Sequence, residues 1–376
     1  MIYLFIIFLL LLLSYRYDIS EKGSNSTFWI YVIYIIFVFV AGFRYDIGVD
    51  THHYKDFFDG VPTLSNLTKG VFANTRFRPG IIVFYSLCKS IIPNFTFALI
   101  VEAVFINSVF FSFIRKNTSY VFTALLIYFL VNYLEFNTEI QREVMAISFG
   151  LLAWNCYEKK KWIQTICLFL VAIEFHISAF VLLLYPILYS SSVNKKWLVY
   201  GSVILIAAPV VLSSISGLQL IIESLLNTDN ADMIESYTKT EYNQQLNYKA
   251  FVVYYAFYTI AFFISIYLQR NNIEHFGGFL VCFYLLFFMH IISYAFYRFT
   301  NYLSPFVWIG MAEFINTLIR DLKAKGIRFS FVCLVLLSTY LLYAHQSKLK
   351  SFDPITSTYA YERYYPYESI LSGNNY

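Results

Sequence analysis

Apolar residues in this chain fall into long runs, and each run ends at charges or at Pro, Asn and Gly. A helix needs roughly 20 apolar residues to cross a bilayer, and fewer where the membrane thins or flanking side chains snorkel. On that scale the candidate segments are 2–15, 28–43, 79–92, 95–114, 120–134, 143–157, 162–175, 177–190, 197–215, 248–268, 277–297, 299–319 and 329–345. Several are short enough to be half-helices or re-entrant pieces buried in protein. The pattern predicts an all-α polytopic integral membrane protein with roughly 11–13 membrane segments. Composition agrees: of 376 residues, 59% are hydrophobic and 13% charged, against about 25% charge in soluble domains. Residues 1–346 form one membrane domain, interrupted by a polar loop at 44–78 and an acidic loop at 217–247, and residues 347–376 form a polar, tyrosine-rich tail.

The net charge of +4 comes from 27 basic and 23 acidic residues. Basic residues gather in cytoplasmic loops of membrane proteins, so this excess is no argument for nucleic acid as a partner. The five cysteines (Cys88, Cys156, Cys167, Cys282 and Cys333) all lie in apolar runs without a C-x-x-C pair. They read as small core residues, with neither a disulfide framework nor a zinc site indicated. The first run has no preceding Lys or Arg and no small-x-small site after it, so it is expected to stay in the mature chain as a membrane segment.

The clearest basic clusters are Lys159 to Lys161, Lys195-Lys196, and Arg320 through Lys323 and Lys325 to Arg328. Placing all three in the cytoplasm puts Glu174 to His176, the 217–247 loop, Arg298 and the tail on the far side. Alternation carried backwards also places Glu135 to Arg142 outside, yet it leaves the 44–78 loop inside. Re-entry of 79–92 without crossing would return that loop to the far side.

The polar residues suggest the chemistry. Arg44 stands directly beyond an apolar run, where a guanidinium either snorkels to the headgroups or grips a lipid-linked phosphate with its bidentate fork. Asp50, in the same loop, is either a turn or cap residue or a general base for a sugar hydroxyl. Glu135, Glu139, Arg142, Ala146 and Phe149 step by four, three, four and three residues, the spacing of one helical face. Arg142 opens an apolar run, and an ionisable residue at membrane depth is a functional candidate. His176, between two apolar runs, is a hydrogen-bonded structural residue or an acid, base or phosphate donor. His290, Tyr294, Arg298 and Tyr302 recur every four residues and form a polar stripe. Glu102 and Glu313 read as buried interhelical hydrogen-bonding residues.

Absences narrow the chemistry further. The chain has no D-x-D pair, no Walker or G-x-G-x-x-G loop, no H-E-x-x-H and no G-x-S-x-G elbow. Nucleotide-driven transport and metal-dependent nucleotide-sugar chemistry are both disfavoured, and no cofactor is called for.

Taken together, Arg44-x5-Asp50-x3-Tyr54, Ile140 to Ala146 around Arg142, Phe175-His176-x-Ser178-Ala179, Arg298-x3-Tyr302 and the ending Tyr364-Tyr365-Pro366-Tyr367-Glu368-Ser369-Ile370 have the order and spacing of one family. The chain resembles the EpsG family of Wzy-like bacterial polysaccharide polymerases over nearly its whole length. It departs from that pattern at Glu143 and Glu174. The resemblance implies a metal-independent membrane glycosyltransferase with a GT-C-like cavity on the non-cytoplasmic face of the cytoplasmic membrane. It would join undecaprenyl-diphosphate-linked oligosaccharide repeat units into an O-antigen, capsule or exopolysaccharide, with membrane lipid, a flippase and a chain-length regulator as implied partners. In that scheme Arg44, Arg142 and Arg298 clamp phosphate, Asp50 or His176 is the base, and Tyr54, Tyr302 and Tyr365 contact the glycan. A lipid-linked oligosaccharide flippase, or a membrane acyltransferase with His176 as base, would use the same residues differently.

Overall fold

The computed structural model describes residues 2–20, 24–48, 50–73, 75, 77–190, 279, 282–283, 286, 294–321, 350–353, 358–362, 364 and 367–372. They are nearly all helical, as the apolar runs predict: α1 (Ile2–Leu13), α2 (Ser26–Gly42), α3 (Thr51–Gly60), α4 (Lys69–Ala73), α5 (Pro79–Ile91), α6 (Phe95–Asn117), α7 (Val121–Tyr128), α8 (Leu134–Thr138), α9 (Gln141–Glu158), α10 (Trp162–Phe175), α11 (Tyr185–Ser190) and α12 (Tyr294–Asp321). Wider π turns extend α1 through Ser14–Ile19 and join α7 to α8 through Phe129–Tyr133, and a 3₁₀ stretch covers Ile177–Leu184. Two short antiparallel strands in the tail, β1 (Lys350–Asp353) and β2 (Thr358–Glu362), are an addition that the polar composition did not signal. Three helical segments among the described residues are long and apolar enough to cross a membrane, Ile2–Ile19, Phe95–Asn117 and Val121–Thr138, beside shorter apolar helices. The segments 197–215, 248–268 and 329–345, the 217–247 loop, and residues Lys195, Lys196, His290 and Tyr365 lie outside the described residues.

By contacts the chain divides into two compact units, one of Met1–Leu182 with Ile315–Tyr376, the other of Leu183–Phe314. In the first, α2 and α6 are antiparallel neighbours. Gly42 sits against Ile100, the Tyr34 hydroxyl meets Ser108 at 2.8 Å, and Phe37 meets Phe111 edge-on at 5.5 Å. Around Phe37 the rings of Phe129 and Tyr133 close in at 5.3 and 4.4 Å, and the Tyr133 hydroxyl donates to the Phe37 carbonyl at 2.5 Å. Deep in the same bundle Asn107 donates to Asn137 at 2.9 Å and Asn137 to the Tyr128 hydroxyl at 2.8 Å. Interhelical bonds of this kind satisfy polar groups that lipid cannot.

Helix ends are satisfied by side chains. Asn94 accepts the Thr96 N–H at 2.8 Å and caps α6. Asp18 accepts from the backbone N–H and hydroxyl of Thr123 at 2.6 and 2.8 Å, serving an orphan donor of α7. Pro79 opens α5, where a missing N–H costs nothing. The Lys89 ammonium donates to the carbonyls of Phe58, Asp59 and Val61 at 3.0, 2.8 and 2.9 Å, closing the C-terminal end of α3.

The directions of the helices sort the polar residues to two ends. Arg16, Arg115, Lys116 and Lys159 to Lys161 share one end, where Lys116 pairs with Glu158. Asn316 also reaches that end, donating to Thr123 at 3.3 Å. The opposite end gathers the start of α1, the C-terminal end of α2, the turn between α8 and α9, the start of α5 and the C-terminal end of α10. Because α2 leaves and α6 enters at that same end, the residues between them, α5 included, begin and end on one side. This is the arrangement that re-entry of 79–92 requires.

One sequence expectation fails here. Glu135 and Glu139 do not share a helical face with Arg142, because α8 ends at Thr138 and α9 starts at Gln141. The backbone turns at Glu139 and Ile140, with ψ of −58° and 45°, and the two helices run in opposite directions. No Gly or Pro marks this reversal.

In the second unit, Tyr185 packs edge-on against Phe279 and Phe306 at 5.4 and 5.1 Å, and those two rings stack at 3.7 Å. The Tyr185 hydroxyl donates to the Tyr302 backbone carbonyl.

At Gly80, α5 touches α10 so closely that a Cβ would lie 2.7 Å from the Glu174 carbonyl oxygen, whereas nothing stands within 4 Å of one at Gly60. Gly80→Ala is therefore expected to destabilise by about 1–3 kcal/mol through overpacking, while Gly60→Ala stays within about 0.5 kcal/mol. Thermal unfolding of the detergent-solubilised protein measures both, and equal midpoints would separate α5 from α10.

Candidate functional site

Arg44 follows α2 by two residues and is 1% exposed. Its Nη1 donates to the Ala41 carbonyl at 2.5 Å, at a helix C-terminus where a cation is favourable. The side chain has thus turned into the protein, in place of the headgroup position that snorkelling would give it. Glu102 on α6, 2% exposed, interacts electrostatically with Arg44. Among the described residues neither of its oxygens accepts a hydrogen bond, so the simple interhelical hydrogen bond expected of it is not seen.

After Arg44 the chain turns on Asp46, with φ of 49°, and Gly48, with φ of 97°. A Cβ on Gly48 would sit 2.9 Å from the Thr138 carbonyl oxygen. Only glycine combines that conformation with so close an approach, and the loop thereby packs on the turn before α9. Thr51 donates to the Ile47 carbonyl at 2.5 Å, and His52 meets Asp46 at 2.6 Å on the surface. The loop read from sequence carries its own helices, α3 and α4.

Asp50 occupies the N-cap position of α3, yet its carboxylate does not cap the helix. It is half-buried and interacts electrostatically with Tyr54 one turn on. Tyr54 is 5% exposed and hydrogen-bonded to Arg142. Burial pushes its phenol above the ordinary tyrosine range, with the Arg142 charge and hydrogen bond acting in the opposite direction. It therefore stays a neutral hydroxyl at physiological pH.

Arg142 stands in the first turn of α9, its guanidinium carbon 4.7 Å from the Phe77 ring centroid. Phe77 is itself stacked on Phe57 at 3.9 Å. Gln141, fully buried, accepts from the Tyr85 hydroxyl at 2.7 Å. Among the described residues, the Gln141 Nε2 and Arg142 Nε donors are buried without an acceptor. Two orphan donors at a helix N-terminus, one of them on a guanidinium that lies over an aromatic ring, are what an anion needs.

His176 ends α10 and is 8% exposed. Its Nδ1 accepts the Ser178 N–H at 3.3 Å. Arg78, which precedes α5, donates to the Ile173 carbonyl at 3.0 Å, so the strand of chain that carries Phe77 to Arg142 also reaches the end of α10. Arg44, Asp50, Tyr54, Arg142 and His176 accordingly lie at one end of the first unit. Arg298, half-buried, and Tyr302, fully buried, belong to α12 in the second unit. Tyr365 is outside the described residues. Among the described residues no three His, Cys, Asp or Glu side chains gather into a metal-binding group.

Sequence reasoning passed over Phe77, Arg78, Tyr85 and Gln141. The triplet Phe77-Arg78-Pro79 at the end of a polar loop was the available signal, since Pro79 announces a helix start and places the two preceding side chains at its mouth.

Comparison with known families gives one match: a family model, that of the EpsG family, covers residues 27–369. No curated protein and no solved structure matches the chain. With the match spanning nearly the whole sequence, from α2 to the tail, the chain belongs to the EpsG family of Wzy-like polysaccharide polymerases.

Proposed function

We propose that this protein joins undecaprenyl-diphosphate-linked oligosaccharide repeat units into a surface polysaccharide, acting at the end of the first unit that holds Arg44 and Arg142. The observation that carries this reading is the start of α9, where Arg142 and the orphan donors of Gln141 and Arg142 present positive charge and N–H groups together. Among the described residues Arg16, Arg115, Lys116 and Lys159 to Lys161 lie at the other end of the bundle, and by the positive-inside rule this supports an exterior or periplasmic site on the cytoplasmic membrane.

A lipid diphosphate is both the activation and the leaving group, so the reaction needs cations and a base. The acceptor hydroxyl oxygen attacks the anomeric carbon, the bond to the diphosphate oxygen breaks, the hydroxyl proton passes to the base, and lipid diphosphate departs. Arg142 and Arg44 stabilise the charge that develops on the leaving group. Tyr54, neutral and buried behind Arg142, positions it. Arg298 and Tyr302 are proposed to bind substrate on their own unit, and Tyr365 to contact the glycan.

For the base, Asp50 is favoured over His176. With Nδ1 accepting from Ser178, a neutral His176 carries its proton on Nε2 and offers a donor where a base must offer a lone pair. Asp50 leaves its helix uncapped and lies one turn from Tyr54. Flipping or acyl transfer would use similar residues, and purified protein with a lipid-linked repeat unit tells them apart. Lengthened glycan chains mean polymerisation, translocation alone means a flippase, and acyl-donor consumption means an acyltransferase.

Arg142→Lys is expected to lose most activity although it keeps the charge, because an ammonium reproduces neither a bidentate grip nor the guanidinium's contact with the Phe77 ring. The loss should be roughly 2–4 kcal/mol, or about 30- to 1,000-fold in rate. Near-normal polymer from stably expressed Arg142→Lys would make the residue structural.

Asp50→Asn is expected to abolish chain growth while lipid-linked substrate still binds, with His176→Gln much milder. A carboxylate base keeps wild-type activity steady through about pH 6.5, where an unperturbed histidine titrates. Normal polymerisation by Asp50→Asn, no activity in His176→Gln and a wild-type midpoint in the histidine range would together reverse the assignment.

A further inference from the structure

The segment Tyr367–Ile370 is more than 300 positions from Arg44 in sequence, yet it lies against it. Arg44 and Ser369 face each other in an isolated antiparallel bridge. Its two backbone bonds fall on either side of Arg44: Tyr45 N–H donates to the Glu368 carbonyl at 3.0 Å, and Ile370 N–H donates to the Phe43 carbonyl at 3.2 Å. The Ser369 hydroxyl adds a second donor to the Phe43 carbonyl at 3.0 Å. The Tyr367 hydroxyl reaches the Val40 carbonyl at 3.3 Å, and its ring meets Tyr3 edge-on at 6.0 Å. Tyr364, just upstream, is 2% exposed.

These contacts solve two problems at once. The carbonyls of Val40 and Phe43 belong to the last turn of α2 and the residue after it, where no helical N–H remains to serve them. An arginine at such a helix end is also free to swing out and snorkel. Main-chain bonds on either side of Arg44 fix the backbone that carries it, and its side chain lies inward, where Nη1 reaches the Ala41 carbonyl.

We propose that Tyr367–Ile370 is a positioning strap, whose docking by an isolated antiparallel bridge holds Arg44 in its inward, buried orientation and is needed for full polymerase activity. The proposal rests on the polymerase reading for its activity readout only. The strap works through main-chain bonds, so its effect is tied to backbone donors and to Arg44, with no contact of its own to the reacting atoms.

Ile370→Pro deletes one bridge donor without touching Arg44. Its polymerisation rate should fall about 10- to 100-fold, the scale of a misplacement near 1 Å, with KM for the lipid-linked repeat unit moving less than kcat. Because the strap acts through Arg44, Arg44→Ala and the double variant Arg44→Ala/Ile370→Pro should agree within about 2-fold. Losses that multiply, or full activity in Ile370→Pro, overturn the proposal. A second readout needs no activity. In a background with all five cysteines replaced by alanine, Arg44→Cys should react slowly with a water-soluble maleimide, and about 10-fold faster when Ile370→Pro is added. Equal labelling rates overturn the strap even if polymerisation is demonstrated. A wild-type protein that makes no polymer overturns the polymerase reading and leaves the labelling result to decide the strap. If Ile370→Pro does not accumulate in membranes, Tyr367→Phe/Ser369→Ala removes the two side-chain bonds and is expected to shift both readouts in the same direction by about 3-fold, with no shift counting against the proposal.

Discussion

A guanidinium cannot shed its charge in a protein, so a chain that buries Arg44 must build its surroundings around a permanent cation. Much of the first unit answers to that need. The Ala41 carbonyl at the end of α2 accepts from the cation, Glu102 on α6 lies within electrostatic reach, and the tail pins the backbone on both sides of the residue. The antiparallel pairing of α2 with α6 sets the helix that carries Glu102 beside the helix that leads into Arg44. Arg142 is managed differently. It is only half-buried, lies against an aromatic face and shares a hydrogen bond with Tyr54, which keeps its orientation fixed and part of its surface open. One arginine is thus held by backbone on both sides, the other by a ring and a hydroxyl.

Helix content and segment positions could be read from hydrophobicity because lipid allows few alternatives for the backbone. Trp162–Phe175 has the bounds that its run of apolar residues suggested, and α2 and α5 come within a residue or two of theirs. The reversal at Glu139 and Ile140 could not be read, because a four-three spacing of polar residues describes a helical face only when the helix is unbroken, and no Gly or Pro announced the break. Single charges at run ends were equally ambiguous. Arg44 and a snorkelling arginine look alike in sequence; what separates them is a tail segment hundreds of positions away, and main-chain bonding leaves little trace in side-chain identity.

Candidate site residues fared according to whether their signal was local. Asp50 falls at a helix start, as a loop Asp often does, but that its carboxylate does not cap the helix is a fact of geometry. Tyr54 reads as an aromatic beside a membrane, yet its burial and its bond to Arg142 depend on two helices meeting. His176 is the reverse case: the short motif with Ser178 already contained the contact, since the Ser178 N–H that fixes the ring nitrogen is two residues away.

The excursion between α2 and α6 has a meaning beyond the site itself. A stretch of chain that leaves and returns at the same end can lengthen, shorten or exchange its small helices without reversing the direction of any helix behind it. Such a stretch uncouples the shape of the surface at that end from the count of membrane crossings. That surface can then change by insertion and deletion, with the insertion of the rest of the protein into the bilayer left untouched.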